Sequence, residues 1–96
     1  MMSFVLVVGL RVEDYSKWKS EFDEGIDMRK SAGEKSYQIL HTDDDSNNLV
    51  LLFEWDNLDN ARKFMQSEEL GKAMQKAGVI GKPETYFLGE VEKGSI

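Results

Sequence analysis

The chain has 96 residues, no cysteine, 12 basic and 18 acidic side chains, and a formal charge of -6. This length fits one domain, read over 1–96, and the 41% hydrophobic content is that of a folded soluble protein. The absence of Cys excludes disulfides, thiolate metal sites and Cys nucleophiles. Lysines and arginines scattered among acids exclude a basic patch for nucleic acid or for an anionic membrane surface.

The run Phe4-Val-Leu-Val-Val-Gly-Leu10 is β-branched and apolar at both parities. It predicts a central strand, with Gly9 marking a bulge. It is too short to span a bilayer and lacks the flanks of a secretion signal. A cytoplasmic protein with no membrane partner is expected.

Asp14 or Ser16 caps a predicted helix running to about Ala32, with Gly33 as its stop. Tyr15, Trp18, Phe22, Gly25, Ile26, Arg29 and Ala32 share one face at helical spacing. Lys35 to Thr42 predicts a strand. Asp43 to Asn48 is a run of turn formers that joins it to the next strand as a hairpin. That strand, Asn48 to Asp56, is apolar on both faces until Glu54. A sheet strand of this kind is covered above and below.

Asn57 or Asp59 begins a second helical region. Ser67 reads as a fresh cap with Glu68 and Glu69 behind it, where a helix N-terminus favours acids. Two short helices, or one kinked near Ser67, are predicted, ending at Gly78. Residues Val79 to Pro83 connect to a last strand over Thr85 to Val91, and 93–96 are expected to be loose. The order is strand, helix, strand, strand, helix, strand. This predicts an α+β ferredoxin-like split βαβ domain (βαββαβ) with a four-stranded antiparallel sheet. The two strands apolar on both faces fall in the middle of that topology. Helices cover one face, and the other needs a partner sheet, which predicts a homodimer.

Asp14-Tyr-Ser-Lys-Trp18, Leu52-Phe-Glu-Trp-Asp56 and Glu84-Thr-Tyr-Phe-Leu88, in this order of elements, resemble the dimeric α/β-barrel superfamily over nearly the whole chain. Within it the chain is most similar to the small antibiotic biosynthesis monooxygenase-like proteins. The resemblance implies sheet-to-sheet dimerisation as a dimeric α/β barrel. It also implies a range of activities: cofactor-independent quinone-forming oxygenases, heme-degrading enzymes, cyclases and isomerases. Many oxygenase-like members carry a His on the second helix. Here that stretch is Lys63-Phe-Met-Gln66, without one.

Three residues are candidate catalytic groups. His41 is the sole histidine and the natural base near neutral pH; the competing reading is an exposed strand end. Arg29 stands on an apolar helix face, where it either holds an anionic or enolate oxygen or snorkels outward. Glu54 lies on a central strand, as a base or as an ion-pair partner of Arg29 or of a basic residue across the dimer. Whether His41 and Tyr37 share a face with Glu54 or with Phe53 and Trp55 depends on the length of the hairpin loop. Tyr37, Trp55, Trp18, Phe22 and Phe64 are the aromatics expected either to fill the core or to line a flat ligand cavity. Asp43, Asp45, Asn47 and Glu54 match calcium-loop spacing, but the sixth position is Asn48 and a strand follows. A solvated turn is the better reading, with no metal expected. The functional expectation is a monooxygenase-like enzyme needing no cofactor and acting on an aromatic or polyketide-like molecule. The alternative is a non-catalytic dimeric ligand-binding or stress-related module.

Overall fold

The computed structural model describes residues 2–96. Five strands and four helices follow one another as β1 (Ser3–Val12), α1 (Tyr15–Glu24), α2 (Ile26–Ala32), β2 (Glu34–Thr42), β3 (Asp45–Trp55), α3 (Leu58–Met65), α4 (Glu68–Lys76), β4 (Val79–Ile80) and β5 (Glu84–Gly89). β1 and β3 are central and antiparallel, β2 flanks β3, and β4 and β5 share the outer edge of β1. This is the predicted ferredoxin-like sheet with one strand more: Val79–Ile80, expected in the connection, pairs with β1 ahead of a break before β5. The break falls at Gly81 to Pro83, where Gly81 takes a positive φ and Pro83 has no N–H to give to the ladder.

The apolar periodicity of the strands becomes two faces. Val5, Val7, Leu10 and Val12 of β1 and Leu49, Leu51, Phe53 and Trp55 of β3 are buried beneath the helices. The step from Val7 to Leu10 keeps parity only because Gly9, at φ 72°, forms the predicted bulge. Phe4, Leu6, Val8, Val50 and Leu52 alternate onto the opposite face, which no described element covers. Truncating a fully buried residue such as Leu49 to Ala would cost about 2–5 kcal/mol.

The first helical region differs from the single helix expected. It breaks at Gly25 into α1 and α2. Glycine propagates a helix poorly, and Gly25 also gives room to a neighbour, because a Cβ there would lie 3.3 Å from Arg29 Nη1. Ile26 and Tyr15, expected on the inner face, are exposed. Asp14 caps α1 by accepting from Ser16 N at 2.9 Å. Asn57 caps α3, and Ser67 starts α4 afresh as its spacing predicts. Among the described residues, no helix is long and apolar enough to cross a membrane.

The hairpin joining β2 to β3 is tighter than expected. Only Asp43 and Asp44 form the turn, and β3 begins at Asp45. Thr42 pairs with Asp45 but His41 with Leu49, so Ser46, Asn47 and Asn48 are extra on the β3 side. A two-residue turn alone would place His41 on the Glu54 parity. Three additional residues reverse it, so Tyr37, Ile39 and His41 pair with Phe53, Leu51 and Leu49 on the helix-covered side.

Candidate functional site

The helices do not close completely on the sheet. A cavity of about 240 Å³ remains between them. Val7, Leu10, Leu51, Phe53 and Trp55 form its floor. Trp18, Phe22 and Met28 from the first helical pair and Phe64, Met65, Leu70, Ala73 and Met74 from the second form its walls, with Lys82, Pro83 and Thr85 at the rim. The wall is mostly apolar and strongly aromatic. Trp18 stacks on Phe22 at 4.9 Å between centroids, Phe22 faces Phe53 at 6.2 Å, and Trp55 meets Phe64 at 5.4 Å. At such spacings the rings touch one another, and together they make an aromatic wall on which a flat apolar body can lie.

One buried charged pair is built into this wall, which also carries Glu21, bridged to Lys76 at 3.4 Å. Arg29 Nε donates to Glu34 Oε2 at 3.1 Å. The guanidinium lies 3.8 Å above the Phe22 ring, and its Nη1 donates to the Phe22 carbonyl oxygen. Arg29 therefore satisfies an acceptor near the end of α1 and ties α2 to the start of β2. The side chains of Arg29 and Glu34 are only 7% and 6% exposed. Burial pushes the Glu34 carboxyl above its ordinary value. The charge of Arg29 and its hydrogen bond pull it back, with smaller effect.

Glu34 reaches this position through two backbone devices. Gly33 turns the chain at φ 123°, and its carbonyl accepts from Asp56 N at 2.9 Å. A Cβ on Gly33 would clash with the Asp56 carboxylate, so another residue fits only if Asp56, just before α3, moves aside. Lys35 then forms a bulge. Ser36 pairs with Glu54, yet Glu34 pairs with Trp55, which puts the Glu34 side chain on the covered face beside the indole.

The sequence-predicted residues divide. Arg29, Trp18, Phe22, Trp55 and Phe64 line the cavity together. Tyr37 does not line it; it packs edge-on against Phe22 at 5.1 Å and borders a shallow outer groove with Ile26, Lys30, Glu34, Lys35 and Ser36. His41 shares the covered parity but does not line the cavity and is exposed, with Nδ1–H donating to the Thr42 carbonyl oxygen at 2.7 Å. Glu54 points to the uncovered face and is not the partner of Arg29; that partner is Glu34. The sequence signal for Glu34 was an acid directly after the helix-stop glycine and five residues beyond an arginine on the apolar face. Its inward direction depends on the Lys35 bulge, which no local residue pattern announces.

No family model and no curated protein matches the chain. Solved structures do. A protein of Bordetella bronchiseptica provisionally assigned as an antibiotic biosynthesis monooxygenase superposes with a TM-score of 0.74 at 12% identity, covering 95% of this chain and 97% of its own. SnoaB of Streptomyces nogalater, a cofactor-independent oxygenase, gives a TM-score of 0.71 at 15% identity over 96% and 94% of the two chains. A conserved protein of Methanosarcina mazei gives 0.69 at 14% identity over 92% of each. The chain thus has the fold of the antibiotic biosynthesis monooxygenase-like proteins. Likeness at such identities concerns the backbone alone.

Proposed function

We propose that this protein is an oxygenase-like enzyme that takes a flat aromatic or polyketide-like molecule between its helices and sheet. The observation that carries the reading is an apolar, aromatic-walled cavity with a buried carboxyl in its wall, held by an arginine. The fold shared with SnoaB supports it. A ring CH2 flanked by carbonyl-bearing rings gives up a proton to a base, and the resulting carbanion reacts with dioxygen. One oxygen atom becomes the new carbonyl, the other leaves as water with the two hydrogens of the CH2, and no external reductant is required. Flavin and metal have no step in this scheme.

In this reading Glu34 takes the base role assigned from sequence to His41 and Glu54, since both of those stand outside the cavity. A carboxyl raised by burial is a stronger base than an ordinary one. Arg29 stabilises the oxyanion of the enolate. The test is oxygen uptake and quinone absorbance with an anthrone as probe. Turnover is expected, with kcat falling at least tenfold in Glu34→Gln. The second reading, a binding module without catalysis, is favoured by the engagement of Glu34 with Arg29 and by the exclusion of the single histidine. Saturable binding of the anthrone with no oxygen uptake would establish that reading instead.

A second copy of the chain belongs to the same proposal. Leu40, Tyr86 and Leu88 stay exposed on the same side of the sheet as Phe4, Leu6, Val50 and Leu52. An apolar face of this kind is suited to a partner sheet. Light scattering at micromolar concentration should give twice the 11.0 kDa chain mass; a monomer would refute the pairing.

A further inference from the structure

We propose that Arg29, Glu34 and Trp55 form one polar end of the cavity, selecting an uncharged flat ligand on which an N–H or O–H donor stands next to a carbonyl acceptor. The inference rests on the cavity being the ligand site and adds the chemistry of what enters it.

The three side chains are contiguous. Arg29 is hydrogen-bonded to Glu34, and Glu34 stands opposite Trp55 in the β2–β3 ladder. All three are more than nine-tenths buried. Each keeps one polar atom without a hydrogen-bond partner: Arg29 Nη2, Glu34 Oε1 and Trp55 Nε1. Buried polar atoms are satisfied in more than about nine cases of ten, and a buried indole N–H ordinarily finds an acceptor. Three unsatisfied polar atoms on neighbouring side chains of a cavity wall are groups that a ligand entering the cavity would satisfy.

A tie between α2 and β2 needs only the Arg29 Nε to Glu34 Oε2 bond and leaves the other atoms unexplained. Their chemistry defines the complement. Two free donors, on Arg29 and Trp55, call for a carbonyl oxygen. One free acceptor, on Glu34, calls for a donor beside it. Arg29 and Glu34 balance each other in charge, so a neutral edge brings no uncompensated charge into the site. A carboxylate would satisfy both donors but would stand against the Glu34 carboxylate. The wall covers these atoms, so the ligand edge reaches them by displacing the side chains that shield them.

Three bicyclic probes of similar size separate the possibilities: isoquinolin-1-one (N–H beside C=O), 1-naphthoate and naphthalene. Trp18 and Trp55 both line the cavity, so quenching of their fluorescence at neutral pH reports binding. The isoquinolinone is expected to bind about tenfold or more tighter than either of the others, because a site with buried polar groups rejects an analogue that leaves them unpaired. In Glu34→Gln the Arg29 charge loses its counterpart, and 1-naphthoate is expected to gain until it equals or overtakes the isoquinolinone. The wild-type series decides even if that variant fails to fold. Naphthoate binding as tightly as the isoquinolinone, or naphthalene binding as well as it, would overturn the inference and leave the cavity reading intact. Failure of all three to bind would remove both.

Discussion

The two faces of the sheet are made by the same strands and have opposite fates. On the covered face, Leu51, Phe53 and Trp55 are buried and the Arg29–Glu34 ion pair is almost closed off from water. On the other, Leu52 and Glu54, one residue along, remain half-buried and unroofed. Alternation creates both faces, so which residue reaches the cavity is decided by parity, and parity is decided by bulges. One extra residue at Lys35 turns Glu34 inward, and three extra residues after Asp45 put His41 on the covered side but outside the cavity.

The largest effect is expected from breaking the charge pair of the covered face. Arg29→Ala leaves Glu34 buried without its cation and the Phe22 carbonyl without its donor. Losing one partner of a buried pair costs about 3–5 kcal/mol, whereas replacing both by apolar groups is often neutral. Urea unfolding should therefore show a strong loss for Arg29→Ala and a recovery of most of it in the double variant Arg29→Met with Glu34→Leu. Equal losses in both would mean that Arg29 acts by packing alone.

Next in size is Gly33→Ala. The left-handed backbone costs a non-glycine residue about 1–3 kcal/mol, and the new Cβ would press into the Asp56 carboxylate. That carboxylate accepts from Asn57 N and Asn60 Nδ2 at the start of α3, so the disturbance spreads to a second helix. A loss of about 2–3 kcal/mol is expected by denaturant unfolding, with weakened ligand binding because Glu34 is re-aimed. An unchanged midpoint would separate Gly33 from the placement of Glu34.

A smaller effect follows from the Glu34 carboxyl. Burial raises its value in the folded state above the ordinary 4.5 of the unfolded chain. The folded protein then holds this proton at a pH where the unfolded one has lost it. The stability Glu34 contributes is fully present below 4.5 and is lost as pH rises through the raised value. The stability of the wild type relative to Glu34→Gln should thus fall as pH increases above this point, by at most about 1.4 kcal/mol per pH unit for one proton. A difference that rises with pH would mean that the attraction of Arg29 outweighs burial.

The order of elements, the central position of β1 and β3, the Gly9 bulge and the Ser67 restart were legible because each rests on local periodicity or on a cap, whereas spacing left open whether the aromatics fill a core or line a cavity. The helix break at Gly25 was not legible, since the same apolar stripe runs through it and a single glycine weakens a helix without having to end it. Glu34 was not legible either. Its face is fixed by a one-residue slip against β3, which is a property of two strands together. Arg29 was found as an anomaly on an apolar face, but its partner was sought on the central strand in Glu54, which is half-buried and whose parity points away.

The smallest effect is expected at the residue that chemistry alone would favour most. His41 is the only imidazole in the chain, yet its ring is exposed and bonded to the adjacent Thr42 carbonyl. Substitution of an exposed residue away from any cap or buried network changes stability by no more than about 0.5 kcal/mol. His41→Ala should therefore unfold within that margin of the wild type and keep its affinity for the isoquinolinone. If the protein turns over an anthrone, its kcat should also be unchanged, while Glu34→Gln loses at least tenfold. The opposite order would move the chemistry from the buried start of β2 to its exposed end, outside the cavity. A partner subunit would then have to complete the site.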